Sequence, residues 1–137
     1  MKQRVPVSQI MSKELITLTQ KDSLYDAENL FKKHNIRHLP VVENKKLIGV
    51  VSYSDLLKIS YVDVTDDDDI ESVVYDTYTV SQLMAKSPVS IPPNSTIKEA
   101  TELLSKHSFH SIPVVEDEEL VGIVTTTDLL NYFIDQY

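Results

Sequence analysis

Apolar positions recur along this chain with two different periods, and the order of those periods repeats. Leu24, Ala27, Leu30 and Phe31 stand at helical spacing behind Ser23-Leu-Tyr-Asp26, a sequence suited to starting a helix. Ile97, Ala100, Leu103 and Leu104 do the same behind Thr96-Ile-Lys-Glu99, the fuller capping box by sequence. Pro92-Pro93 delays this second helix, and the two helices are expected to stop near His34-Asn35 and His107-Ser108. Then come β-branched runs of strand length, Leu39-Pro-Val-Val42 and Ile112-Pro-Val-Val115. A proline so early predicts the first strand position or a sheet edge. Polar turns at 43–46 and 116–119 lead into Leu47–Val51 and Leu120–Val124, which predicts a hairpin in each half. Ser52–Asp55 and Thr125–Asp128 are short polar stretches rich in helix-capping residues, each followed by Leu-Leu and a second helix. The short apolar run Leu15–Leu18 precedes the first helix and reads as a strand.

The two halves are copies. Adding 73 to a residue number maps Val7 to Val80, Met11 to Met84, Pro40 to Pro113, Gly49 to Gly122 and Asp55 to Asp128 without a gap. Of the 51 positions in 7–57, 19 are identical in 80–130, and the only two glycines share one repeat position. Each unit therefore reads β-α-β-β-α, with repeats at 7–59 and 80–134 joined by an acidic linker at 60–79. A unit of about 50 residues would be marginal alone on surface-to-volume grounds. The copies are accordingly expected to share a core in a mixed α+β fold, packed with pseudo-twofold symmetry.

Charge narrows the function. The 137 residues carry 13 Lys/Arg and 21 Asp/Glu, a formal net charge of −8. The excess is unevenly spread: residues 1–58 hold ten Lys/Arg and six acids, whereas 59–85 hold seven acids and no Lys/Arg. So acidic a chain argues against nucleic acid as a partner, and the first repeat is the better half for an anion. The four carboxylates Asp66–Asp69 read as a solvated loop, since no glycine or spaced Asn/Asp accompanies them as in a calcium loop. There is no cysteine, and the four histidines lack metal-ligand spacing. His34 and His107 read as helix C-terminal caps. The N-terminus has no signal-peptide pattern, and no apolar run approaches the roughly 18 residues of a membrane helix. A soluble cytoplasmic protein is the expectation, with no membrane partner. No nucleophile elbow, P-loop or metal-ligand set is present, so neither an enzyme nor a catalytic cofactor is expected.

The repeat, the Pro-Val-Val strand and the segments Gly49–Asp55 and Gly122–Asp128 together resemble the CBS domain, taken as a tandem pair or Bateman module. The likeness covers about residues 7–134. It implies a regulatory module that binds an adenosine-type nucleotide (AMP, ADP or ATP) in the cleft between repeats, and that forms a homodimer acting on an effector protein. Two other readings remain open: a structural or dimerising module without a physiological ligand, and a sensor of another ligand such as S-adenosylmethionine, a dinucleotide or a metal ion.

The residues have a chemistry of their own. Asp55, at a helix start beside Ser52 and Ser54, offers a carboxylate to both hydroxyls of a ribose; Asp128, Thr125 and Thr127 repeat the arrangement. Hydroxyls and free N–H groups at a helix N-terminus suit a phosphate, although plain helix capping uses the same residue types. By the resemblance, Arg37, His38 and His110 are basic residues for phosphates, and Ser111 departs from that pattern. The resemblance also places Ile16, Val89, Pro40 and Pro113 against an adenine, with Thr17 and Ser90 adjacent.

Overall fold

A computed structural model describes residues 4–62 and 75–137, except for the side chains of 60–62. The acidic stretch Asp66–Asp69 lies outside the described residues. The fold is mixed α+β. In chain order its elements are a 3-10 turn at Val7–Gln9, α1 (Leu24–His34), β1 (His38–Glu43), β2 (Lys46–Ser52), α2 (Tyr53–Val62), α3 (Val80–Leu83), β3 (Ala85–Lys86), α4 (Ile97–Lys106), β4 (Ser111–Glu116), β5 (Glu119–Thr125) and α5 (Thr126–Asp135).

The chain divides into two compact units, and their boundaries are offset from the repeats. One unit is Ile16–Pro88; the other joins the residues up to Leu15 to Val89–Tyr137. In the Ile16–Pro88 unit, Leu24, Ala27 and Phe31 bury one stripe of α1 beneath Leu39, Val41 and Val51 of the β1–β2 hairpin. Val80 and Met84, from the opening of the second repeat, complete that core. The other unit repeats the plan with Ile97 and Ala100 of α4, the β4–β5 residues Ile112, Val114 and Val124, and Leu129 of α5. Here the first repeat supplies Val7. Burying one such side chain stabilises a fold by about 1.5–3 kcal/mol, so each exchanged segment contributes to its host unit.

The exchange is held by backbone bonds as well. Lys86 and Ala85 pair antiparallel with Gly49 and Val50. Ser12 exchanges two hydrogen bonds with Ile123, at 2.8 and 3.1 Å, and the Ile97 N–H donates to the Val5 carbonyl at 2.9 Å. Both glycines lie under these crossings. A Cβ on Gly49 would stand 2.5 Å from Met84 Sδ, 2.8 Å from its Cγ and 3.0 Å from the Ala85 carbonyl oxygen. Gly122 is covered in the same way by Met11 and the Ser12 carbonyl. Neither glycine has a positive φ, so close approach and not backbone freedom excludes a side chain at both.

Both predicted hairpins are present, with matching registers: His38 faces Ser52, and Ser111 faces Thr125. Each turn puts two non-glycine residues at positive φ, Asn44-Lys45 and Asp117-Glu118. Two expectations are corrected. The run Leu15–Leu18 is no regular strand; only Leu18 pairs, as a parallel bridge to Val41, before Thr19 turns the chain through its N–H to Asp22 Oδ2 at 2.7 Å. Ile91 bridges Val114 likewise. The fuller capping box is at Ser23–Asp26, where both reciprocal bonds form, whereas Thr96 only accepts from the Glu99 N–H while the Glu99 side chain stays exposed. Pro40 is third in β1, and β1 is an edge strand, the second of the two placements that an early proline predicts. It is tolerated because its carbonyl side faces the lone Leu18 bridge, where Leu18 N–H donates to it at 2.9 Å and the next donor used is Val42 N–H.

Candidate functional site

The candidate residues fall into two sets, one inside each unit. In the Ile16–Pro88 unit, the β1–β2 register puts His38 opposite Ser52 at the end of the hairpin where α2 begins. The Tyr53 N–H donates to the Arg37 carbonyl at 2.8 Å, which ties the residue before β1 to the first turn of α2. The Leu18–Pro40 bond brings Ile16 and Thr17 alongside the same strand. Local sequence, a hairpin of fixed register and one parallel bridge therefore gather Ile16, Thr17, Arg37, His38, Ser52, Ser54 and Asp55 at one end of the unit. The Arg37 and Ser54 side chains are exposed, while Ile16, Thr17, His38, Ser52 and Asp55 are half-buried. Pro40 is fully buried and lies in the interior behind them.

The other unit builds the same arrangement. The Ile91 N–H donates to the Pro113 carbonyl at 3.1 Å, placing Val89 and Ser90 beside β4. The Thr126 N–H donates to the His110 carbonyl at 2.9 Å, and the Thr126 hydroxyl donates to the same oxygen at 3.2 Å. Ser90, His110 and Thr127 are exposed, Thr125 and Asp128 half-buried, and Pro113 buried. Val89 is 46% exposed, an apolar surface open to solvent beside the hydroxyls.

The two aspartates differ in what holds them. Asp128 Oδ2 accepts from the Thr125 N–H at 2.9 Å, and the Asp128 N–H donates to Thr125 Oγ1 at 3.1 Å, a complete capping box. At the first site the Asp55 N–H donates to Ser52 Oγ at 3.1 Å, and Ser52 Oγ lies 3.2 Å from Ser54 Oγ. The Asp55 carboxylate is instead 3.9 Å from the Lys58 ammonium, a solvent-screened pair worth at most about 1 kcal/mol. Both carboxylates keep further acceptor positions beyond these contacts, because a carboxylate has about four.

Sequence reasoning missed three residues here. Lys58 is one helical turn beyond Asp55, and that spacing was visible. Tyr53 acts through its backbone N–H, which leaves no trace in side-chain identity, and Thr126 adds its hydroxyl to the same kind of N–H contact. Among the described residues, no group of three or more His, Asp or Glu could hold a metal ion, and no helix is long and apolar enough to cross a membrane.

A family model described as the CBS domain matches residues 7–62 and 80–135. Inosine-5'-monophosphate dehydrogenase of Staphylococcus aureus is 32% identical over 115 residues, which are 82% of this chain and 21% of that protein. The enzyme of Korarchaeum cryptofilum is 29% identical over 118 residues. The chain thus spans about a fifth of the length of the curated relatives it matches. Among solved structures, CBSX2 from Arabidopsis thaliana, in complex with AMP, superposes with a TM-score of 0.81 at 27% identity, covering 96% of this chain and 97% of that one. The CBS domain pair of protein MJ0100, in complex with 5'-methylthioadenosine and S-adenosyl-L-methionine, gives 0.79 at 27% identity, with 97% and 98% covered.

Proposed function

The chain belongs to the CBS-domain family, and from that premise we propose that it is a regulatory module that senses adenosine-type nucleotides through Ser52–Asp55 and Thr125–Asp128. One observation carries the reading: in each unit the register brings an extended hydroxyl residue (Thr17, Ser90), a basic residue (Arg37, His110) and a hydroxyl-flanked aspartate to one end. A ribose diol needs an acceptor for two O–H donors, which either carboxylate supplies. The exposed hydroxyls, Arg37 and the N-terminal N–H groups of α2 offer donors to a phosphate. Half-buried Ile16 and exposed Val89 offer apolar surface to a purine. Two solved relatives of 27% identity, one with AMP and one with 5'-methylthioadenosine and S-adenosyl-L-methionine, support the ligand class.

The proposed role is regulatory, in keeping with matches that cover only about a fifth of the inosine-5'-monophosphate dehydrogenases. A homodimer that reports nucleotide level to an effector protein is part of the same proposal. The test is thermal unfolding with adenosine, AMP and ATP. A ligand bound only by the folded chain, at one hundred times its Kd, adds about 2.7 kcal/mol of stability and raises Tm by several degrees. No shift with any adenosine ligand at millimolar concentration would favour the structural-module reading.

A further inference from the structure

The two sites are equal in backbone and unequal in charge. The first set holds Arg37, His38 and Lys58 at the same end of the unit as Asp55, with the Lys58 ammonium 3.9 Å from the Asp55 carboxylate. The repeat positions of those three residues are His110, Ser111 and Asn131. The second set thus has no Lys or Arg at any position where the first has a cation, and it keeps the carboxylate of Asp128. Hydroxyls are conserved in type between the sets: Thr17 with Ser90, Ser52 with Thr125, Ser54 with Thr127. What recognises a ribose is duplicated, and what neutralises a phosphate is not.

We infer that the Asp55 site takes adenosine ligands with or without a phosphate, and that the Asp128 site takes only those lacking a phosphate, neutral or cationic. The inference rests on the reading of both sets as adenosine sites. A phosphate brought to the second set meets the Asp128 carboxylate with only the His110 imidazole to offset it. A neutral thioether or a cationic sulfonium at the 5' carbon suffers no such repulsion, and Val89 presents apolar surface beside it. At the first set Arg37 provides a planar fork of donors for phosphate oxygens, and Lys58 offsets the charge of Asp55.

Calorimetric titration of the full chain with AMP and, separately, with 5'-methylthioadenosine tests this by stoichiometry. Wild type should bind one AMP and two 5'-methylthioadenosine per chain. His110→Arg combined with Asn131→Lys, both at exposed positions, should raise AMP to two per chain. In the opposite direction, Arg37→Ser with Lys58→Asn should weaken AMP at least tenfold relative to 5'-methylthioadenosine. Two AMP per chain of similar affinity in wild type, a single 5'-methylthioadenosine, or AMP remaining at one per chain in the His110→Arg/Asn131→Lys variant would overturn the division of ligands while leaving the adenosine reading intact. Binding of neither ligand to wild type would overturn both.

Discussion

Gly49→Ala adds one methyl group to a buried position, and the structure fixes what that group meets. The new Cβ lies 2.5 Å from Met84 Sδ and 2.8 Å from Met84 Cγ, well inside contact distance. It also lies 3.0 Å from the Ala85 carbonyl oxygen, which belongs to the β2–β3 pairing and cannot rotate away. The thioether is flexible, but Met84 is only 9% exposed and is enclosed by the core of its unit. Overpacking of this kind costs about 1–3 kcal/mol. For a chain of this size each kcal/mol moves Tm by about 4 °C, so the variant should unfold about 4–12 °C lower. Met84→Ala alone should cost about 2–5 kcal/mol by leaving a cavity. Gly49→Ala placed in that background should cost less than in wild type, because the added methyl enters the space the thioether left and only the 3.0 Å approach to the Ala85 carbonyl remains, giving a favourable coupling of about 1 kcal/mol. Thermal unfolding followed by circular dichroism on the four proteins of this cycle measures it. An unchanged Tm in Gly49→Ala, or the same cost in both backgrounds, would refute the claim that the second repeat's opening segment packs directly on β2. Gly122→Ala with Met11→Ala should behave alike.

Three further outcomes follow from the packing and local electrostatics. Residues 1–60 expressed alone should give no cooperative unfolding transition, because they lack Tyr75, Val80 and Met84 from their own core and carry Val7 away from its host; a sharp transition by circular dichroism would count against the exchange. Lys45→Gly should raise stability by about 0.5–1 kcal/mol, since Lys45 holds φ at 71° in a tight hairpin turn where glycine is unstrained; urea unfolding with a lower midpoint would contradict this. Partial burial raises the Glu28 carboxyl, but hydrogen bonds from Lys32 (2.6 Å) and Tyr75 and the Lys32 charge outweigh it and hold the pKa below the usual 4.5. Its contribution is therefore complete above about pH 4.5 and is lost as pH falls through the lowered native value. Glu28→Gln should narrow the gap to wild type on acidification, and a constant gap from pH 7 to pH 3 would oppose that assignment.

What could be read from the sequence was local. The hairpins were legible because β-branched runs flank short polar turns, and the helices because Ser23, Thr96 and the apolar stripes mark their starts and inner faces. The pairing of Ser12 with Ile123 and of Ala85 with Val50 was not legible, since a two-residue strand leaves no periodicity. Its one trace was the pair of glycines at the same repeat position, which is explained only when Met11 and Met84 are seen above them. At the candidate sites, Asp55 and Asp128 were found by their place between a strand and a helix. The register that sets His38 against Ser52 and Ser111 against Thr125 follows from hairpins of equal length. The difference between a fully capped Asp128 and an Asp55 facing Lys58 depends on side-chain geometry that one letter per residue does not carry.

The most direct measurement of the central claim is the affinity of AMP for wild type and for Asp55→Asn, taken by calorimetry beside the Tm of each ligand-free protein. The Ser52 hydroxyl accepts from the backbone N–H of residue 55, a bond that asparagine retains, and only the screened Lys58 pair is given up, so the ligand-free Tm values should agree within about 4 °C. A charge-assisted hydrogen bond from the ribose to Asp55 contributes about 1.5–3 kcal/mol. Its loss should therefore weaken AMP by roughly tenfold to a hundredfold. Equal AMP affinity in the two proteins, with both folded, would contradict the claim that Asp55 holds the ribose and would leave it as a residue of the α2 start alone.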